Sequence, residues 1–227
     1  DVLCVGAKPE CMVDYIAVHE IVPSMINDIS KGLANGARVA GITIVGGESA
    51  QLPELIQSEF DGGGFDLAGT CIGTTTPGEA ITGSCVQPND IVVGIKSSGV
   101  HSNGLSLARK AFGITSDKTA SERRRILEKH HPEIGKTLGE ELLVPTRIYV
   151  PEVLAMLQAG IDIRGIAHIS GDGLLNLPRL LADTGYIIDS PPEPHPIFYM
   201  IQKYGNIPSS EMYSVFNMGI GLCLIMP

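Results

Sequence analysis

Tryptophan is absent from this 227-residue chain, and aromatic residues make up only 5 % of it. The interior must therefore be packed from aliphatic side chains. Charge is also sparse: 18 % of residues are Asp, Glu, Lys or Arg, and the net charge is −9. There is no basic stripe, which makes nucleic acid a poor partner. The one basic run, Arg123-Arg124-Arg125, follows Glu122 and precedes Glu128, the pattern of a solvated helix face. No C-x-x-C pair occurs. The five cysteines (Cys4, Cys11, Cys71, Cys85, Cys223) are odd in number and irregular in spacing, which argues against a disulfide framework and a structural zinc. Most of them read as small buried residues in a reducing compartment. A signal peptide, an apolar run of membrane-spanning length, internal repeats and low-complexity segments are all missing, so no membrane partner is expected and a cytoplasmic location is.

What the chain does have is aliphatic bulk and glycine. Hydrophobic residues reach 44 %, enough for a real core and against disorder. Glycine numbers 27, well above the average of ~7 %. Such an excess marks tight loops where backbone approaches something closely. Loop amides and a metal let even an acidic protein hold phosphates. The length exceeds the usual size of one domain, so one large or two smaller domains are expected. The chain opens inside an apolar pattern without an initiator Met and closes on a strand-like run, as a fragment or trimmed chain would.

The pattern predicts a helix over 23–36 with Gly36 as C-cap, a buried strand over 39–45, a turn at Gly62-Gly63-Gly64 and a strand over 65–74. A domain boundary is expected near Gly78 to Ser84, dividing residues 1–80 from 81–227. Beyond it come a strand over 90–95, a helix from Gly104 to about Phe112, a polar helix over 121–131, a helix over 151–159, a strand ending at His168, a helix over 174–182 and a last alternating strand at Ile220, Leu222 and Leu224. Strands, glycine loops and helices in this order point to an α/β (α+β) fold with mixed sheets flanked by helices.

Four loops and one terminal carboxylate can carry chemistry. Gly46-Gly47-Glu48 offers a carboxylate behind two glycines, suited to Mg²⁺ beside a polyphosphate, although a tight turn with an exposed Glu reads equally well. Ser97-Ser98-Gly99-Val100-His101-Ser102-Asn103-Gly104 exposes amides and hydroxyls before a helix, an anion site in which His101 donates to phosphate or serves as acid or base. Asn103 doubles there as a helix cap. Ala167-His168-Ile169-Ser170-Gly171-Asp172-Gly173 repeats the same grammar. Asn217-Met218-Gly219-Ile220-Gly221 reads as structural. Asp1 completes a two-carboxylate metal site if it meets Glu48 in space.

Together these segments resemble a known family. Asp1 to Pro9 is similar to its N-D-hydrophobic-x-x-x-G-A-x-P segment from the Asp onward, and Val13-Asp14-Tyr15-Ile16-Ala17 to its hydrophobic-D-Y-x-A. Val45 to Pro53 resembles V-G-G-E-T-A-E-M-P, Asp66 to Gly69 matches D-[LV]-A-G, and Ser97 to Gly104 resembles S-S-G-x-H-S-N-G. Pro145 to Val150 resembles P-T-R-I-Y-V, Ala167 to Gly173 resembles A-H-[IL]-T-G-G-G, and Phe216 to Gly221 resembles F-N-x-G-[IV]-G. The family is phosphoribosylformylglycinamidine cyclo-ligase, or AIR synthetase, and the resemblance runs in order along nearly the whole chain.

The resemblance implies ATP-dependent ring closure of formylglycinamidine ribonucleotide in purine biosynthesis, through a phosphorylated amide oxygen. It implies ATP and Mg²⁺, with Asp1 and Glu48 as metal ligands and Asp14, Gly46, Gly47, Ser98 and Gly99 on the nucleotide. It implies catalytic roles for His101, Asn103 and His168, and substrate contacts for Ser102, Gly171 and Gly173. It also implies a homodimer paired through an ATP-binding N-terminal domain, of which residues 1–80 are the remainder, with 81–227 as the C-terminal α/β domain. The family's D-G-V-G-T-K motif has no counterpart here, and Asp172 stands where the family has glycine. Two alternatives stay open. One is another enzyme of the superfamily: selenophosphate synthetase, thiamine-monophosphate kinase or formylglycinamidine ribonucleotide synthetase. The other is a non-catalytic, dimerising nucleotide-binding module.

Overall fold

The computed structural model describes residues 1–58 and 63–227. A 3-10 turn at Val2–Val5 leads into β1 (Lys8–Val18), α1 (Pro23–Ala40), β2 (Thr43–Gln51) and β3 (Phe65–Thr74). Then come β4 (Ile91–Lys96), α2 (Leu105–Ala111), α3 (Ala120–Leu127), the two-residue strands β5 (His130–His131) and β6 (Lys136–Thr137), α4 (Leu138–Leu142) and α5 (Val150–Gln158). The chain ends with β7 (Gly165–His168), a 3-10 segment at Gly173–Arg179, α6 (Pro196–Gly205), α7 (Ser209–Val215) and β8 (Ile220–Met226). Two compact units result: residues 1–80 with 148–161, and residues 81–147 with 162–227. Among the described residues no helix is long and apolar enough to cross a membrane.

The first unit is a sheet of order β2-β1-β3, with β1 parallel to β2 and antiparallel to β3. A parallel pair needs a crossover, and α1 supplies it. Pro23 sets the first helical turn, and Gly41, at φ 68°, ends the helix. The expected stop at Gly36 does not occur: an interior glycine costs about 1 kcal/mol, and tertiary packing carries the helix through it. Val39 and Ala40 are therefore helical, and β2 begins only at Thr43. The apolar side of α1 (Met25, Ile29, Leu33, Ala37) lines a groove of about 900 Å³ with Met12, Leu67 and other residues of this unit. The opposite sheet face carries Val13, Tyr15 and Ile72, exposed by 43 %, 39 % and 59 %. Of the expected turn at 62–64, Gly62 lies outside the described residues.

The second unit is built on β4-β8-β7, with both outer strands antiparallel to a central β8 that is buried from Ile220 to Ile225. One core cluster joins α6 and α7 to Val100, Ala108 and Leu138, and the Phe198 and Phe216 rings lie 5.9 Å apart within it. Ala167, Ile169, Leu177, Cys223 and Ile225 form a second cluster. Three expectations shift here. The polar helix stops at Leu127, and His130-His131 pairs with Lys136-Thr137 in a small hairpin. The strand into His168 begins at Gly165, after Ile161 and Ile163. The helix expected over 174–182 is a 3-10 segment ending at Arg179, because Pro178 inside it has no N–H to continue an α-helix.

Candidate functional site

Topology gathers the second unit's loops. Since β4 and β7 both run antiparallel to β8, the segments leaving them emerge at one end of the sheet. The turn Asn217–Gly219 enters β8 at that same end. Ser97–Gly104, Ile169–Gly173 and Asn217–Gly219 thus meet although far apart in sequence. Between the first two loops, Asn103 Oδ1 lies 3.4 Å from where a Cβ on Gly171 would sit, so glycine at 171 leaves room for that amide.

The Ser97–Gly104 loop is held from three directions. Ser97 N–H donates to the Gly219 carbonyl (2.9 Å), and His195 Nε2 donates to the Ser97 carbonyl (3.0 Å). Asn217, only 4 % exposed, donates through Nδ2 to the carbonyls of Gly99 (2.9 Å) and Val100 (3.2 Å), while its Oδ1 accepts from Gly219 N–H (2.9 Å). From the third side, Ser98 Oγ donates to the Pro145 carbonyl (2.7 Å), Ser102 Oγ lies 3.1 Å from Thr146 Oγ1, and Arg147 Nη1 donates to the Lys96 carbonyl (3.3 Å). The Pro-Thr-Arg segment is thus the support of this loop.

His101 is buried at 6 % exposure and holds a left-handed backbone, φ 63°. Such a φ is uncommon outside glycine and marks a geometry imposed by its surroundings. Its Nε2 accepts from Ser98 N–H (3.0 Å) and, at longer range, from Arg147 N–H (3.5 Å). Its Nδ1 is buried and has no hydrogen-bond partner among the described residues, and the same holds for Ser97 Oγ. Burial, reinforced by repulsion from His168 and His195, lowers the His101 pKa to about 4. Burial also lowers that of His168, which pairs with Leu222 at the end of β7. Asn103 does not cap α2. Gly104 takes the N-cap position at φ 78° with no side-chain cap bond, because a Cβ there would strike the Phe216 ring.

In the second loop, Gly171 and Gly173 carbonyls both accept from Asn176 Nδ2, at 2.8 and 2.7 Å. Gly173 has φ 55°, and a Cβ there would collide with the Tyr213 carbonyl. Asp172 pairs with Arg179 at 2.6 Å on the surface, so its charge is balanced where it stands.

In the first unit, Gly46-Gly47-Glu48 is not a loop: all three residues lie inside β2. The glycines serve the sheet. Asp14 pairs with Gly47, and a Cβ on Gly47 would collide with the Asp14 carboxylate. Asp14 therefore lies across the backbone of β2. Glu48 pairs with Tyr15 and, by strand alternation, projects from the opposite face, where it is exposed. Asp1 precedes the Val2–Val5 turn, which packs against β1 and β3. Among the described residues no three His, Cys, Asp or Glu side chains come close enough to hold a metal together. His195 lay outside the sequence reading, which took Ser97 only as one hydroxyl of its loop and Asn217 only as structural. Only the F-N-x-G motif signalled the last.

Comparison with known proteins matches two family models along the chain, the second of which also takes in residues 148–161 of the first unit. Residues 1–75 match the model described as AIR synthase related protein, N-terminal domain, and residues 87–227 its C-terminal domain. Among curated relatives, a phosphoribosylformylglycinamidine cyclo-ligase of Methanopyrus kandleri is 47 % identical over 99 % of this chain and 61 % of its own length. That of Methanocaldococcus jannaschii is 46 % identical over 100 % of the chain and 61 % of its own. The chain thus spans about three fifths of these relatives. Among solved structures, the hydrogenase maturation protein HypE in complex with ATP aligns with TM-score 0.59 at 16 % identity, over 100 % of this chain and 59 % of that one. AaThiL complexed with AMPPCP and TMP aligns with TM-score 0.57 at 14 % identity, over 100 % and 64 %. These two establish a shared fold.

Proposed function

Because the chain belongs to the AIR synthase related proteins, carrying both their N-terminal and their C-terminal domain, we propose that the whole protein closes the imidazole ring of formylglycinamidine ribonucleotide at the expense of ATP. In this reading the γ-phosphoryl passes to the substrate's amide oxygen and ADP departs. A nitrogen of the same substrate then attacks the activated carbon, and the phosphorylated oxygen leaves as phosphate. The observation that carries the reading is the meeting of the Ser97–Gly104 and Ile169–Gly173 loops at Asn103 and Gly171. It brings an amide, a buried imidazole and glycine backbone to one place, the elements needed to position an acceptor and exclude water.

Within that reading the residues divide the work. His101 and Asn103 contact the oxygen being phosphorylated or the phosphoryl group, and His168 with the Gly171–Gly173 backbone lines the substrate. The Gly99 amide faces the nucleotide phosphates, with Ser98 beside it tied to His101 and Pro145, and Ser102 keeps the substrate side of the loop in register through Thr146. Mg²⁺ is commonly held by one or two carboxylates together with phosphate oxygens and water, so the oxygen donors Asp1 and Glu48 suit it without a third protein ligand. When bound, the ion neutralises phosphate charge. Asp14, on the face opposite Glu48, is assigned to the nucleotide alone. The bare face of Val13, Tyr15 and Ile72 supports a homodimer formed through the first unit. Exposed free Cys71 and Cys85 fit a reducing cytoplasm.

Full-length protein supplied with Mg²⁺ and ATP should release ADP only when formylglycinamidine ribonucleotide is present. ADP release that ignores this substrate refutes the assignment. His101→Ala should abolish most of that turnover and leave the dimer intact.

A further inference from the structure

We propose that His101 works as a neutral hydrogen-bond donor through Nδ1–H, aimed at an oxygen of the bound ligand, and not as a general base. The inference rests on the function above only for the identity of that oxygen.

The argument begins with Nε2. It lies 3.0 Å from Ser98 N–H and 3.5 Å from Arg147 N–H. Backbone N–H groups are donors only, and their direction is fixed by the chain. Ser98 Oγ also lies 3.0 Å from Nε2, yet it is a rotor with a better acceptor in the Pro145 carbonyl at 2.7 Å. A proton on Nε2 would face two immovable N–H groups to gain one hydroxyl. The lone pair therefore sits on Nε2, and a neutral ring carries its proton on Nδ1. The ring is neutral because it is 6 % exposed and near two other imidazoles, which leaves its pKa at about 4.

Two consequences follow. First, the basic lone pair is engaged by the protein, so no lone pair remains to take a proton from substrate. Second, Nδ1–H is a buried donor without a partner among the described residues. A buried orphan donor costs free energy comparable to a lost hydrogen bond, and the left-handed backbone at His101 adds to that cost. Both are explained if an acceptor arrives with the ligand. Ser97 Oγ is a second buried orphan in the same loop among the described residues, and as a hydroxyl it too can donate. Ligand chemistry matching this pair is an oxygen that gains negative charge, either a phosphoryl oxygen or the amide oxygen that receives it. A neutral imidazole serves such an oxygen because donation requires no change of protonation state.

The test uses full-length protein labelled with ¹⁵N at histidine. Long-range ¹⁵N–¹H spectra should show His101 with a protonated Nδ1 and an unprotonated Nε2 throughout about pH 5 to 8, the range in which an ordinary histidine titrates. A protonated Nε2, or a ring that titrates inside that window, overturns the proposal whatever the enzyme does. Two variants separate donor from scaffold. In H101Q the amide oxygen replaces Nε2 and still accepts from Ser98 N–H, but the donor is lost. Its kcat should fall by about 10²-fold, the scale for removing one such donor, with KM changed little. In H101N the amide N–H stands near Nδ1, and more of kcat should survive. Wild-type kcat in H101Q refutes the donor role. If the full-length protein closes no ring at all, the functional assignment fails while the tautomer spectrum still decides this one.

Discussion

Asn217→Ala is the sharpest structural perturbation available, because one amide ties the loop after β4 to the turn that enters β8. It removes hydrogen bonds to Gly99 O, Val100 O and Gly219 N, spaced at 2.9, 3.2 and 2.9 Å. Each is worth about 1 kcal/mol net, and buried backbone groups left without partners push the cost upward, so about 3 kcal/mol should be lost. For a chain of this size that lowers Tm by about 6–12 °C, readable by circular dichroism or calorimetry on the full-length protein. Asn217→Asp sharpens the reasoning. It is isosteric and keeps the acceptor for Gly219 N–H, but places a carboxylate oxygen against two carbonyls. Near neutral pH it should be at least as unstable as the alanine variant. Acid should relieve it, since a protonated carboxyl can donate to one of those carbonyls. A wild-type Tm for Asn217→Asp at neutral pH would refute the clamp.

Other expectations follow from the same geometry. Gly104→Ala should destabilise more than Gly160→Ala: both positions have positive φ, 78° and 76°, but only Gly104 faces the Phe216 ring, while nothing lies within 4 Å of Gly160. The shared left-handed strain is about 1–2 kcal/mol, the clash adds about 1–3 kcal/mol, and paired urea melts measure the difference. Wild-type stability should decline as pH falls from 6.5 toward about 4, because the unfolded chain binds a proton at His101 in that window and the folded protein does not. H101Q should flatten that part of the pH–stability curve. Burial pushes the Cys223 thiol up to about 12, whereas Cys71 and Cys85 are exposed. A thiol reagent should therefore modify the latter two in the native protein and reach Cys223 only after denaturation, with peptide mapping as the readout.

Much of the framework was legible because local pattern and tertiary structure agree. Alternation placed the strand over 65–74 at its observed bounds, and Val-rich spacing placed β4 within a residue. Two T-x-x-E signals, Thr119 to Glu122 and Thr137 to Glu140, fix the starts of α3 and α4 as capping boxes. They are readable without a structure, and the polar stretch over 121–131 masked the first. The double glycine at 46–47 misled for a physical reason. Glycine pairs usually break strands, yet here Gly47 is tolerated inside β2 because Asp14, thirty-three positions earlier, lies over it.

The candidate site was legible in its glycine- and serine-rich loops and illegible in what holds them. His101 and Asn103 stand in a stretch dense with glycine and serine, whose composition announces exposed backbone. His195 stands in a proline-rich segment with no periodicity, and its partner is a carbonyl 98 positions away. In the sequence Ser97 looks no different from Ser98, and the resemblance assigns only Ser98 to the nucleotide. Yet the Ser98 hydroxyl donates to Pro145, and that of Ser97 is buried and without a partner among the described residues. Which of two adjacent serines remains available depends on where β4 ends against β8, and that is set by the bulged register at Lys96 and Ile220. A slip of one residue there would turn Ser98 inward, and His101 would lose the backbone donor that fixes its tautomer. The donor at Nδ1 is thus a consequence of strand register, and the central strand β8, with Asn217 at its mouth, specifies the chemistry of a loop it does not contain.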